Sequence, residues 1–331
     1  MIATMDQPAS TTPRISSTGS DGAALRRLAF KALGTQCEVQ YQTKEGGAAP
    51  AFEQAVREWV VNFETRYSRF RPDSIVSRIN AAAGRAWTEI DREMEDMLDV
   101  CASVHSLTGG IIDATAGPLL LLWDYHQPVP VVPSAGQVAA ARILACWHLV
   151  QRQRGRGYLP RAGMSLDFGG WGKEWAVDAV AQLAIQHEIP HALVDFGHDI
   201  RCIGTPPDRP AWHVGLENPF SPGAYHESVA LRAGRGIASS GDYLRGFTLG
   251  GRRYGHIVDP RTGQPVSHGC KQVTVIADTC FQAGLLSTTA FVLGAEAGLA
   301  FIHQFPGAEA LIISESGRAE TRGFWNHVVT P

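Results

Sequence analysis

The stretch LDFGGWGKEWAVD, residues 166–178, decides how this chain is to be read. Gly169, Gly170 and Gly172 permit close backbone approach, and Lys173 opens a predicted helix whose apolar positions continue through Trp175, Val177, Val180 and Leu183. A helix N-terminus with a lysine beside it suits a phosphate or diphosphate. A glycine-lined strand-to-helix turn with a solvated lysine is the other reading of the same residues. The Walker A pattern fails, because Asp167 stands where its first Gly belongs and Glu174 where it needs Ser or Thr. A GxGxxG dinucleotide fingerprint is missing too.

Outward from this stretch, strand and helix patterns mix along the whole chain. Residues 28–42 alternate and predict a strand, with Gly34 and Thr35 as a bulge or close-approach point. Phe52, Val56, Trp59, Val60 and Phe63 have helical spacing. A second helix is predicted from about Asp91 to Leu107, stopped by Gly109-Gly110. Residues 193–196, 212–216 and 273–277 read as strands, and helical spacing resumes from about Ala283. The predicted class is α+β: one mixed α/β domain over residues 28–331 behind a flexible tail, residues 1–27, rich in Ser, Thr, Pro and Gly. Two lobes sharing a cleft are the alternative arrangement.

Composition narrows the function. Twenty-nine Lys and Arg against 32 Asp and Glu leave a formal charge of −3, which argues against nucleic acid or an anionic membrane as the main partner. No apolar run reaches the roughly 20 residues of a membrane span, and the N-terminus lacks the basic and apolar regions of a secretory signal, so a cytoplasmic protein is expected. The six cysteines contain no CxxC pair, and Cys101, Cys146, Cys202 and Cys280 are expected to be small core residues.

Three further segments place polar groups among glycines. In GGIIDATAGPL, 109–119, Asp113 either presents a carboxylate to a ligand or caps a turn. In YGHIVDPRTGQP, 254–265, His256 precedes Asp259 and a turn signature, and it is either a base near a cleft or structural. In ADTCFQAGLLSTTAFVLG, 277–294, Ser287, Thr288 and Thr289 either bond back to their own helix or offer oxygens to a hard cation.

Taken together with Leu33-Gly34-Thr35, SRFRPDSIVSRIN (68–80), DFGHDIRCIG (195–204) and SSGDY (239–243), these segments follow the motif order of the FAD:protein FMN transferase family, of ApbE type, which the chain resembles over roughly residues 28–315. That resemblance implies a cleft for FAD with magnesium at the diphosphate. It implies transfer of FMN from FAD to a Thr or Ser hydroxyl of an acceptor flavoprotein, releasing AMP. By motif position, Leu33, Phe70, Ile111, Ile112, Asp113, Asp167, Lys173 and Ile257 are implied to contact FAD. His256 and Asp259 are implied at the reacting phosphate, with His256 as base or orienting group. Gly170, through its carbonyl, position 284, Ser287 and Thr288 are implied as the metal shell.

The resemblance breaks at one chemically important place. Gly284 stands where the family carries its metal-binding Asp, with Asp199 and Asp278 as acids elsewhere in the motifs. Glu174-Trp175 also replaces the family's Gly-Tyr after the lysine. The alternative function is therefore a FAD-binding homologue, acting as flavin carrier, sensor or FAD pyrophosphatase, with an impaired metal site.

Overall fold

The computed structural model describes residues 25–43, 49–232 and 234–329; most of the expected tail, residues 1–24, lies outside them. Eight strands form one sheet in chain order: β1 (Arg26–Ala32), β2 (Thr35–Gln42), β3 (His191–Phe196), β4 (Asp199–Ile203), β5 (Gly236–Gly241), β6 (Cys270–Ala277), β7 (Glu309–Ser314) and β8 (Gly317–Glu320). Every neighbouring pair is antiparallel. The α+β expectation holds, and β1 begins two residues ahead of the expected domain start at Leu28.

Residues 28–42 are two strands rather than one bulged strand. Leu33 and Gly34 both have positive φ, 52° and 71°, between the paired residues Ala32 and Thr35. Two successive left-handed residues in a two-residue loop reverse the chain with the twist a hairpin needs. Gly197 and His198, φ 62° and 72°, repeat this turn between β3 and β4. Because β2 pairs with β3, the two turns lie side by side at one end of the sheet, and Gly197 packs against the Thr35 side chain.

Helices α1 (Ala49–Tyr67), α2 (Ile75–Ala81), α3 (Arg92–Leu107), α4 (Gly117–Leu122), α5 (Ala135–Leu144) and α6 (Gly172–Gln186) all fall between β2 and β3; α7 (Cys280–Leu293) and α8 (Ala295–Ile302) join β6 to β7. Side chains of β6 alternate between layers: Val273, Val275 and Ala277 face α7, while Ile276 faces a core containing Trp212, Val229 and Phe324. α7 starts at Cys280, three residues before the expected position, because Thr279 caps it through a bond from the Gln282 N–H. Its Ala283, Leu286 and Ala290 pack on the sheet, and its Leu285 and Val292 join the core beneath α2 and α3. A helix buried on two sides has no polar face, which explains its apolar sequence.

Close packing at the β5–α7 junction makes a direct prediction. A methyl group on Gly236 would fall inside the backbone of Thr279 and Cys280. Gly236→Ala is expected to destabilise the fold by about 1–3 kcal/mol, read as a lower urea midpoint at unchanged m. An unchanged midpoint would show this junction to be loose. Among the described residues no helix is long and apolar enough to cross a membrane. All six cysteines are free, and Cys146 is half-buried rather than a core residue.

Candidate active site

The sheet end that carries both left-handed turns also carries an ion pair of two polar residues from the motifs. Asp199 is the first residue of β4, directly after the second turn, and Lys173 is in the first turn of α6. Lys173 Nζ and the buried Asp199 carboxylate form an ion pair, so the lysine is held in place rather than free in solvent. Leu33 donates its N–H to Glu64 Oε1 at 2.7 Å and packs between two parts of the core.

Asp167 links three segments. Its Oδ1 accepts from the Gly169 N–H at 2.7 Å, its Oδ2 lies 2.7 Å from Arg69 Nε, and its N–H donates to the Ala114 carbonyl at 2.8 Å. The Arg69 guanidinium in turn sits 4.1 Å over the Phe70 ring, which is 79% exposed. An exposed aromatic ring fixed by a neighbouring cation offers a stacking surface without serving the core. Ile111 and Ile112, implied as FAD contacts, are buried with Phe168 and Trp171, and their N–H groups donate to the Thr108 carbonyl and hydroxyl.

Asp113 turns out to be fully engaged. It accepts from the Thr115 N–H at 2.7 Å, the Thr115 hydroxyl at 2.5 Å and the Trp147 N–H at 3.1 Å. Of its two sequence readings, the turn cap accounts for these bonds. It borders a cavity of about 630 Å³ shared with His105, His148 and Arg261. Asp259 is bound by Arg261 through both carboxylate oxygens, at 2.9 to 3.3 Å, and closes the 258–265 hairpin.

His256 lies in the excursion between β5 and β6. Gly255 packs onto Asp242, one residue past the end of β5, which brings His256 back to the sheet end. Its ring stands edge-on to Tyr125, with centroids 6.0 Å apart, and its Nδ1 is buried without a hydrogen-bond partner among the described residues. Burial, reinforced by the charges of Arg245 and Arg253, pushes its pKa down to about 4. The imidazole is therefore neutral at physiological pH, the form able to accept a proton. Ile257, next in sequence, packs partly against two core clusters.

On α7, positions 284, 287 and 288 share one face by helical spacing. The Ser240 hydroxyl, on β5, is 2.9 Å from the Ser287 hydroxyl and 2.8 Å from that of Thr288; Ser287 also donates to the Gly284 carbonyl at 3.1 Å. Facing Gly284 across the α6–α7 contact is Glu174, whose Oε2 is buried and has no hydrogen-bond partner among the described residues. Asp178, one turn further along α6, accepts from the Cys280 and Phe281 N–H groups at 3.0 and 2.9 Å and fixes the two helices together. Gly170 is exposed, four residues ahead of Glu174. A carbonyl, three hydroxyls and one orphaned carboxylate oxygen fit a hard divalent cation, which takes oxygen donors and keeps several waters. Among the described residues no group of three or more His, Cys, Asp and Glu that could hold a metal ion assembles, here or elsewhere.

The two acids that sequence offered as substitutes for the missing Asp are engaged elsewhere. Asp199 pairs with Lys173, and Asp278 pairs with Arg235 at 2.6 Å on the surface. The sequence offered Glu174 only as a departure from the implied Gly and Ser240 only as part of SSGDY. The available signal was that Glu174 and Gly284 depart from the family pattern together.

Comparison with known proteins identifies the family. Residues 33–312 match the model of the ApbE family. The FAD:protein FMN transferase of Treponema pallidum is 30% identical over 297 residues, 85% of this chain and 82% of that protein. That of Klebsiella pneumoniae is 30% identical over 292 residues, 86% and 83% of the two chains. Among solved structures, the ApbE protein of Thermotoga maritima superposes with a TM-score of 0.83 at 29% identity, covering 93% of this chain and all of that one. The apo flavinyl transferase ApbE of Pseudomonas stutzeri gives 0.79 at 28% identity, covering 90% and 94%.

Proposed function

Because the chain belongs to the ApbE family, we propose that it is a FAD:protein FMN transferase, moving FMN from FAD to a Thr or Ser hydroxyl of an acceptor flavoprotein with metal assistance. The observations that carry this reading are the Lys173–Asp199 pair and the contact of Glu174 with Gly284 at the start of α6, together with Ser240 of β5 bonded to Ser287 and Thr288 in the middle of α7. Such a set suits concentrated phosphate charge handled locally, in a chain whose net charge is only −3.

In the proposed reaction the acceptor hydroxyl oxygen bonds to the FMN-side phosphorus, the bond from that phosphorus to the bridging oxygen breaks, and AMP leaves with the bridging oxygen. The hydroxyl proton goes to His256, whose imidazole is neutral at physiological pH. Lys173 balances charge on the diphosphate, held in register by Asp199. Phe70 offers an exposed ring for a heteroaromatic face of FAD. Gly170, Glu174, Ser287 and Thr288 are the residues that would hold a magnesium ion. When bound, that ion supplies electrostatic stabilisation to the phosphate oxygens.

The test incubates the full chain with FAD, Mg²⁺ and an acceptor domain carrying a candidate Thr. Expected is an acceptor mass gain equal to one FMN, stoichiometric AMP, and loss of both with EDTA. AMP and free FMN with an unmodified acceptor would identify a FAD pyrophosphatase instead. Tight FAD binding without AMP would identify a carrier or sensor.

A further inference from the structure

We propose that Glu174 supplies the carboxylate that position 284 lacks, so that the charged metal ligand has moved from α7 to α6; this rests on the metal-assisted reading above. A side chain at position 284 would place its Cβ 2.6 Å from Glu174 Cγ, 3.0 Å from Cδ and 3.1 Å from Oε1. Glu174 therefore occupies the volume in which an Asp at 284 would begin. Glycine at 284 is what makes the room, and the two departures from the family pattern form one exchange.

Energetics favour the same reading. The Oε2 atom is buried with no hydrogen-bond partner among the described residues, a costly state for a carboxylate unless a cation completes it. Lys173, adjacent in sequence, is committed to Asp199. Ser287 sits one turn past Gly284 on α7 and shares Ser240 with Thr288. Asp178 pins α6 to the N-terminus of α7, fixing the distance across which Glu174 reaches. A glutamate is one methylene longer than an aspartate, which suits a ligand arriving from the neighbouring helix rather than from α7 itself.

The test is Mn²⁺ binding by the full chain, read as loss of the free-ion EPR signal, first alone and then with saturating FAD after subtracting FAD alone. Glu174→Gln, which keeps shape and removes charge, is expected to raise the Mn²⁺ Kd at least about tenfold. Gly284→Asp alone is expected not to tighten binding, because both carboxylates then contend for one space. The exchange Glu174→Gly with Gly284→Asp is expected to return the Kd to within about threefold of the natural chain. Unchanged Mn²⁺ affinity in Glu174→Gln overturns the proposal, as does tighter binding in Gly284→Asp with Glu174 present. FMN transfer assayed on the same samples separates the two claims. A Glu174-dependent Mn²⁺ site in a chain that yields neither AMP nor modified acceptor supports this proposal while rejecting the transferase reading. FMN transfer with Mn²⁺ affinity indifferent to Glu174 does the reverse.

Discussion

His256→Ala is expected to slow FMN transfer by about 10²- to 10⁴-fold, the contribution typical of a positioned base, with little change in FAD affinity. The expectation follows from three properties of the side chain. Burial and the charges of Arg245 and Arg253 hold its pKa at about 4, its Nδ1 is unpartnered, and its backbone returns it to the end of β5. The same numbers fix the pH dependence. kcat/KM reports the free enzyme, so its acid limb should lie near pH 4 and activity should be level from there toward neutrality, other groups permitting. A bound diphosphate is anionic and raises the pKa of a nearby imidazole, so the limb in kcat should lie at higher pH than the limb in kcat/KM. The stability sign is consistent: a His kept neutral in the fold contributes stability that is present above its ordinary value of about 6.5 and lost as pH falls through about 4. An acid limb that persists unchanged in His256→Ala would remove His256 from the proton transfer.

Lys173→Met is expected to have two separable effects. Stability should fall by about 2–3 kcal/mol, because the Asp199 carboxylate is buried and loses its only ion-pair partner among the described residues; the full buried-pair penalty is discounted because 25% of the Lys173 side chain is exposed. FMN transfer should fall by about 10²- to 10³-fold, as expected for removing one electrostatic donor from a reacting phosphate. Combining Lys173→Met with Asp199→Asn separates them. The double variant leaves no buried unpaired charge and should regain most of the stability, measured by urea denaturation, while transfer stays low. Recovery of transfer along with stability would reduce Lys173 to a purely structural role.

Much of the architecture was legible because its signals are local. The α1 and α3 helices follow apolar spacing, with Asp91 capping α3 through the Met94 N–H. The α6 start at Gly172 follows directly from the glycine-rich turn. The hairpin at Leu33 was misread because a left-handed leucine breaks the usual preference for glycine or asparagine there, and alternation continues undisturbed on both sides. Asp113 and Asp259 read in sequence as a FAD contact and a catalytic acid, and the structure commits their carboxylates to Thr115, Trp147 and Arg261. Which partner satisfies a buried carboxylate depends on chain segments that spacing does not relate.

By itself the sequence determined the family-like order of motifs and the mixed α+β class, with Gly284 at the position where the resemblance implies an acid. Only the tertiary structure put Glu174 against Gly284. Residues 174 and 284 are distant in the chain, and each alone reads as a departure: one as added bulk, the other as a missing ligand. Packing of α6 against α7, pinned by Asp178, puts them in one volume, where a carboxylate from either helix excludes a side chain from the other. Steric exclusion between packed side chains is a property of three-dimensional neighbours, and so the pairing of Glu174 with Gly284 has no signature in either segment taken singly.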